Sequence, residues 1–158
     1  MQPGVAERSE TERRNARRKM IKGKDFRQRE DPVEPGLDGL TEAIIGACIE
    51  VHREFGPGLS EKHYEEALCH EFNLRGIAFR RQVPVPVVYK GKEIGDTRID
   101  LVVEGKVIVE LKACDALGPV HRSQLICYLR LMKLRVGLLV NFNVSILVDG
   151  VKRVILPN

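Results

Sequence analysis

Two short apolar runs, Ile99–Val103 and Val107–Leu111, constrain the fold of this chain more than any other feature. Three residues that include a glycine separate them, and this arrangement predicts a β-hairpin. Side chains alternate between the two faces of a strand, so one face of the hairpin is apolar throughout. We expect Asp100, Glu110 and Lys112 to lie together on the opposite face.

The length of the connection decides whether the two carboxylates meet. A two-residue turn would send Glu110 to the wrong face. A three-residue loop pairs Val103 with Val107 and therefore Asp100 with Glu110. Such loops usually carry glycine last, whereas Gly105 is in the middle, so a bulge is an alternative way to set the register. Opposed Cβ atoms are roughly 4.5–5.5 Å apart, which suits two carboxylates that share one divalent cation.

A second interpretation of this pattern needs no ligand. Asp100 and Glu110 would then simply pair with Lys112 on a solvated strand face. Without a cation or such pairing, the two carboxylates would repel each other, and one would stay protonated. The three residues alone leave both interpretations open.

Composition predicts one folded domain without a membrane segment. The 158 residues are enough for a domain and a tail, and the hydrophobic content of 43% supports a core. No apolar run approaches the roughly 18 residues that a membrane helix needs. The charged N-terminus contains no signal-peptide core, so we expect a cytoplasmic protein.

Basic residues are concentrated near the N-terminus. Residues 1–36 contain ten Lys/Arg and seven Asp/Glu, whereas residues 37–158 contain sixteen and fifteen. The first segment has few apolar residues, so we expect a disordered basic tail over 1–36 and a folded domain over 37–158. The tail would contact nucleic acid or merely solvate the chain. The nearly neutral domain argues against a large constitutive nucleic-acid surface.

The cysteines and histidines indicate neither a zinc site nor a disulfide framework, because no CxxC pair is present. The cysteines, expected as small buried hydrophobes, are Cys48, Cys69, Cys114 and Cys127. The histidines, expected at the surface, are His52, His63, His70 and His121. Only His121 is expected near the hairpin site.

Apolar periodicity predicts two helices before the hairpin. The first begins at Leu40 and ends before Gly56-Pro57-Gly58. The second begins after Ser60 and ends at about Arg75, where Gly76 stops it.

The rest of the chain alternates between strands and one helix. Ile77–Tyr89 is predicted as a strand, and Pro84 and Pro86 make it an edge or irregular strand. The later elements are a helix over Val120–Leu134, a strand over Val136–Asn141 and a second hairpin of Ile146–Val148 with Val151–Leu156. The predicted order is α-βββ-α-β after one preceding helix.

Several motifs resemble a known enzyme superfamily. Asp100, Glu110 and Lys112 follow the spacing Asp-x9-Glu-x-Lys, which is similar to the active-site signature of the PD-(D/E)xK nucleases. The segment 58–64 fits the GxxExxY pattern that names a bacterial family within that superfamily. The segment 124–128 resembles the QxxxY motif of RecB-type nucleases. The resemblance implies a restriction-endonuclease-like α/β fold, with a mixed central sheet flanked by helices.

The resemblance, which spans roughly residues 40–155, also implies a metal-dependent nuclease. Its cofactor would be Mg²⁺ or Mn²⁺, held by Asp100, Glu110 and the Leu111 carbonyl. Glu61 would hold a ligating water or a second ion. The implied substrate is DNA or RNA, and a homo-oligomer or a protein partner is a further expectation.

The remaining implied site residues would act around the attacking water. Lys112 would orient or help deprotonate that water and stabilise charge on the phosphate. Gln124 and Tyr128 would buttress Lys112 or contact the phosphate backbone, although Tyr128 also fits an ordinary core aromatic. Two alternatives remain: a non-catalytic module that binds nucleic acid or a protein, and a structural protein whose acidic face is incidental.

Overall fold

A mixed five-stranded sheet lies at the centre of the computed structural model, which describes Thr11 and residues 36–157. The helices are α1 (Leu37–Phe55), α2 (Glu61–Arg75) and α3 (Pro119–Met132). The strands are β1 (Phe79–Tyr89), β2 (Lys92–Val103), β3 (Val107–Lys112), β4 (Val136–Asn141) and β5 (Val151–Ile155). The predicted tail falls almost wholly outside the described residues.

The strands follow one another across the sheet in the order β1-β2-β3-β4-β5. The β3–β4 pair is parallel and the other pairs are antiparallel. A parallel pair needs a crossover connection, and α3 supplies it between β3 and β4. The predicted α/β class with a mixed sheet is confirmed, and so is the position of β1 at an edge.

Helix α3 covers one face of the sheet. Leu125 and Leu129 of α3 pack in one apolar cluster with Val102, Ile108 and Leu139 of the strands. The close approach of helix and sheet depends on Gly137, because an added Cβ would lie 2.7 Å from Leu125 Cδ1. This is the face on which the alternation of β2 and β3 also places the polar residues of the hairpin.

Helices α1 and α2 pack together, and both contact the segment that follows β4. Tyr64 of α2 stacks on Phe142, just beyond β4, with ring centroids 4.4 Å apart. His52 of α1 lies 2.7 Å from the Val144 carbonyl through Nε2. These contacts connect both helices to the segment that follows β4, the strand beside β3.

The helix boundaries agree with the sequence to within two residues except at the start of α1. That helix begins at Leu37, three residues before the predicted Leu40, after the left-handed Gly36 (φ 94°), which has no side chain to cap it. Helix α2 ends at Gly76, whose φ of 68° is left-handed as expected for a terminating glycine. No described helix has the length and apolarity required to cross a membrane.

The predicted second hairpin is wrong. Leu147–Gly150 forms a 3₁₀ helix, and β5 pairs with β4 instead of with residues 146–148. The glycine at this position serves close packing, because a Cβ on Gly150 would overlap the Asn141 carbonyl oxygen. A glycine that allows two backbones to approach is indistinguishable from a turn glycine in the sequence.

The predicted surface position of the histidines and the predicted burial of the cysteines are also wrong in part. His52 is buried, because its hydrogen bond draws it into the core, whereas His63 and His70 are exposed as predicted. His121 accepts the Gly118 N–H at 3.0 Å in the first turn of α3. Of the four cysteines, Cys48 and Cys69 are buried, Cys114 is half-buried and Cys127 is exposed.

Candidate active site at the open end of the hairpin

The connection between β2 and β3 combines the two turns considered above. Val103 pairs with Val107, the register that a three-residue loop predicts. Glu104 and Gly105 are both left-handed, with φ of 52° and 65°. The Lys106 N–H donates to the Val103 carbonyl at 3.0 Å, closing a two-residue turn that one bulged residue follows. The bulge preserves the register that brings the two carboxylates face to face.

The two carboxylates continue the strand pairing where the backbone ladder ends. The last backbone pair before them is Leu101 with Val109. Beyond it, the Asp100 N–H donates to Glu110 Oε1 at 3.0 Å, and the Leu111 N–H donates to Asp100 Oδ2 at 2.9 Å. Each carboxylate uses one oxygen in this exchange.

Burial makes this pair electrostatically unfavourable without a counter-charge. Glu110 is only 3% exposed. Desolvation and, second, the charge of Asp100 raise the pKa of Glu110 to about 8, while the Asp100 N–H and Lys112 oppose the rise. A cation between the two carboxylates would favour the charged form of both and so lower the pKa of Glu110.

The donor set is small but suits a hard cation. It consists of Asp100, Glu110 and the adjacent Leu111 carbonyl, all of them oxygen donors. Mg²⁺ characteristically takes one or two carboxylates and completes its shell with water and phosphate. Within the described part of the chain, no three or more His, Cys, Asp or Glu side chains are grouped to hold a metal. Glu61 is not grouped with Asp100 and Glu110 in this way, and its contact with a ligating water or a second ion stays a prediction.

Lys112 and Gln124 meet at the end of β3, whereas Tyr128 does not join them. Lys112 Nζ lies 3.5 Å from Gln124 Oε1 on α3. The Tyr128 hydroxyl instead accepts from Thr97 Oγ1 of β2 at 3.2 Å, and its ring belongs to the apolar cluster beneath α3. Tyr128 thus ties α3 to β2 and does not reach Lys112.

Glu61 contacts the site at the backbone that immediately follows Lys112. Its Oε1 accepts the Ala113 N–H at 3.4 Å. Tyr64 positions this first turn of α2, because its hydroxyl donates to the Gly56 carbonyl at 2.6 Å and accepts the Leu59 N–H at 3.1 Å. The glutamate and tyrosine of the GxxExxY segment therefore act together: the tyrosine anchors the loop and the glutamate holds the end of β3.

Asn141 is a site residue that sequence reasoning missed. It pairs with Lys112 across the β3–β4 ladder and is only 2% exposed. Its amide clamps the next loop: Oδ1 accepts the Cys114 N–H at 3.2 Å, and Nδ2 donates to the Cys114 carbonyl at 2.8 Å. The sequence did contain a signal for Asn141, namely a polar residue at the end of an otherwise apolar strand. A polar side chain that is buried there requires hydrogen-bond partners.

Gln82 was also missed, and it interrupts the β1–β2 ladder opposite Asp100. It lies opposite Asp100 without pairing to it, and its φ is 49°. Its amide donates to Glu65 of α2 at 2.9 Å. Beside this interruption, Ile99 joins the cluster beneath α3. The alternation that places Asp100 on the polar face would place Ile99 with Leu101 and Val103 on the apolar face, and for Ile99 that prediction is wrong because the ladder is not regular here.

Comparison with known proteins agrees with this geometry. A family model described as the PD-(D/E)XK nuclease superfamily matches residues 38–154, a range that contains every candidate site residue. No curated protein matches the chain significantly, and no solved structure does so.

Proposed function

The chain belongs to the PD-(D/E)XK nuclease superfamily, and on that basis we propose that it is a metal-dependent nuclease that hydrolyses phosphodiester bonds of DNA or RNA. The observation that carries the proposal is the exchange of hydrogen bonds between Asp100, Glu110 and the strand backbone, with Lys112 next on β3. Within the superfamily we assign the chain to the GxxExxY family, because Tyr64 and Glu61 have defined structural tasks here.

The metal of this proposal is Mg²⁺ or Mn²⁺, held by Asp100, Glu110 and the Leu111 carbonyl. When bound, it supplies an acidified water and neutralises charge on the phosphate. The support is electrostatic: a buried Glu110 facing the half-buried Asp100 retains a proton more readily, as its raised pKa indicates, and a cation between the two would favour the charged form.

The protein's own groups position the reactants. Lys112 would orient the attacking water and stabilise the negative charge that grows on the phosphate. Gln124 restrains the Lys112 ammonium through its carbonyl oxygen. Glu61 holds the backbone at Ala113 and thereby limits movement of the end of β3. Tyr128 acts at a distance by fixing α3 on β2.

A cleavage assay tests the proposal. The full chain is incubated with single- and double-stranded DNA and RNA in Mg²⁺, in Mn²⁺ and in EDTA. We expect metal-dependent cleavage that Lys112→Ala reduces by about 100-fold or more, the range of a positioned proton-transfer group. The matched control is Lys90→Ala, which removes an equal charge from the exposed β1–β2 turn.

Two outcomes contradict the proposal. Equal cleavage by the Lys112→Ala protein and the wild type would show that the site does not catalyse the reaction. Metal-dependent binding of nucleic acid without cleavage would favour the alternative function, a non-catalytic binding module. The nearly neutral charge of residues 37–158 is the observation that keeps this alternative in view.

A further inference from the structure

A small cationic cavity lies at the end of the sheet opposite the carboxylates. Its volume is about 100 Å³, and Lys106, Lys133 and Arg135 line it above the apolar side chains of Leu37 and Ile155. The three cations come from different places in the fold: the β2–β3 turn, the end of α3 and the residue before β4. We call this feature the cation cavity.

The length of β3 separates the cation cavity from the carboxylates. Lys106 directly precedes β3, and Lys112 is its last residue. Glu110 is four residues beyond Lys106, so at roughly 3.3 Å per residue along a strand the two sites are about 13 Å apart. The cavity is therefore not part of the metal site, and its charge does not neutralise the carboxylates directly.

The charge of the cation cavity is not compensated by the described protein. None of its three cations forms an ion pair with a described residue. Arg135 donates from Nε and Nη2 to the Leu156 carbonyl at 3.2 Å, which orients the guanidinium without neutralising it. The neighbouring acids are engaged elsewhere: Glu104 accepts a backbone N–H at 2.9 Å, and Asp38 pairs with Arg153 at 2.8 Å.

Structural roles account for only part of this arrangement. Lys133 at the end of α3 suits the negative end of the helix dipole, and Lys106 is a bulged turn residue. Neither role explains why both converge with Arg135 on one concavity. The first residue of α1, Leu37, also lines the cavity, so the positive end of that helix dipole adds to the same potential.

From this convergence we propose that the cation cavity binds a single phosphate group. Its volume is below the roughly 300–1,000 Å³ of sites that enclose drug-sized ligands, so it suits one oxyanion and not a nucleobase. The planar guanidinium of Arg135 matches phosphate geometry, and two lysines add point charges. The phosphate belongs either to a nucleic acid strand or to a free phosphate compound, and the experiment separates these sources.

The test is a calorimetric titration of the full chain with inorganic phosphate at constant ionic strength in a chloride background. We expect saturable binding that Lys106→Ala combined with Lys133→Ala weakens about tenfold, the effect of losing roughly 1.4 kcal/mol. The matched control combines Lys90→Ala with Lys92→Ala, which removes the same charge from two exposed lysines of another turn. Both double variants should retain the wild-type thermal midpoint, since all four lysines are exposed.

A competition experiment identifies the source of the phosphate. Displacement of inorganic phosphate by an oligonucleotide that lacks terminal phosphates assigns the cavity to the nucleic acid backbone. Displacement only by oligonucleotides with a 5′-phosphate, or by mononucleotides, assigns it to a terminal or free phosphate. Absence of saturable phosphate binding, or equal weakening in the two double variants, would overturn the proposal. None of these results depends on cleavage, so the inference stands or fails separately from the nuclease proposal.

Discussion

The two halves of the β2–β3 hairpin are stabilised in different ways. Near the turn, Val102 opposes Ile108 in a regular ladder, and both side chains are fully buried beneath α3. At the open end, Asp100 and Glu110 replace the ladder with side-chain hydrogen bonds to the opposite backbone. The first half gains stability from burial, whereas the second brings two like charges together in a desolvated position.

This difference shows how a fold holds an unfavourable polar pair in place. Apolar burial contributes roughly 25 cal/mol per Å² and requires no particular partner geometry. The carboxylate pair lowers the stability of the fold through desolvation and repulsion. The raised pKa of Glu110 reflects both effects. We therefore expect substitutions in the regular half to destabilise the protein and substitutions in the carboxylate half to affect mainly ligand binding and pH dependence.

The largest effect is expected from Ile108→Ala. The substitution leaves a cavity in the regular half, and we expect the free energy of unfolding to fall by about 2–5 kcal/mol. Urea unfolding monitored by circular dichroism measures the change. Val88→Ala is the control, because Val88 is 57% exposed in the neighbouring strand and should change stability by no more than about 0.5 kcal/mol. Equal losses in the two variants would contradict the importance of the regular half.

The next effect is stabilisation by a divalent cation. Binding that occurs only in the folded state adds about 2.7 kcal/mol at one hundred times the dissociation constant. Asp100→Asn preserves shape but removes one charge, so it should abolish this gain without destabilising the metal-free protein. Thermal unfolding with and without millimolar Mg²⁺ or Mn²⁺ measures both quantities. An equal metal-induced shift in wild type and variant would place the binding site elsewhere.

In the metal-free protein, the titration of Glu110 should make the free energy of unfolding depend on pH. The folded state retains this proton up to about pH 8, whereas an unfolded chain releases it near the ordinary value of 4.5. The contribution to stability is therefore complete below the lower value and is lost progressively as the pH rises towards and through the higher one. Unfolding in EDTA across this range measures the slope.

Glu110→Gln should remove that slope and increase stability at the alkaline end of the range. The matched control is Glu93→Gln, an exposed position on the same strand pair, which should leave the slope intact. A slope that persists in Glu110→Gln would assign the pH dependence to a different group.

The smallest stability effect is expected from Gln124→Ala. Gln124 is exposed and contacts Lys112 at 3.5 Å, so the free energy of unfolding should change by less than about 0.5 kcal/mol. Nuclease activity should nevertheless fall about tenfold, which corresponds to roughly 1.4 kcal/mol of lost transition-state stabilisation. Parallel unfolding and cleavage measurements test this separation. A large stability loss with unchanged activity would reverse the assigned roles.

Local sequence predicted the hairpin and its carboxylate pair because alternation is a property of any strand. The sequence left one point open, the length of the β2–β3 connection, which decides whether Asp100 and Glu110 face each other. The observed connection is a two-residue turn followed by one bulged residue, so it has features of both candidates. Gly76 and the apolar strand Val136–Asn141 were likewise predicted from local signals, since a left-handed helix end and a buried strand each have a distinctive composition. These features require no knowledge of distant segments.

The amino-acid sequence by itself therefore determined the order of elements as far as β4, the face of the carboxylates and the superfamily. Only the tertiary structure decided that Gln82 leaves the ladder, that Asn141 clamps the loop after Lys112, and that the cation cavity gathers Lys106, Lys133 and Arg135. The physical reason is the range of the interactions. Alternation and capping involve neighbours in the chain, whereas these three arrangements join residues that only the packing of helices on the sheet brings within reach.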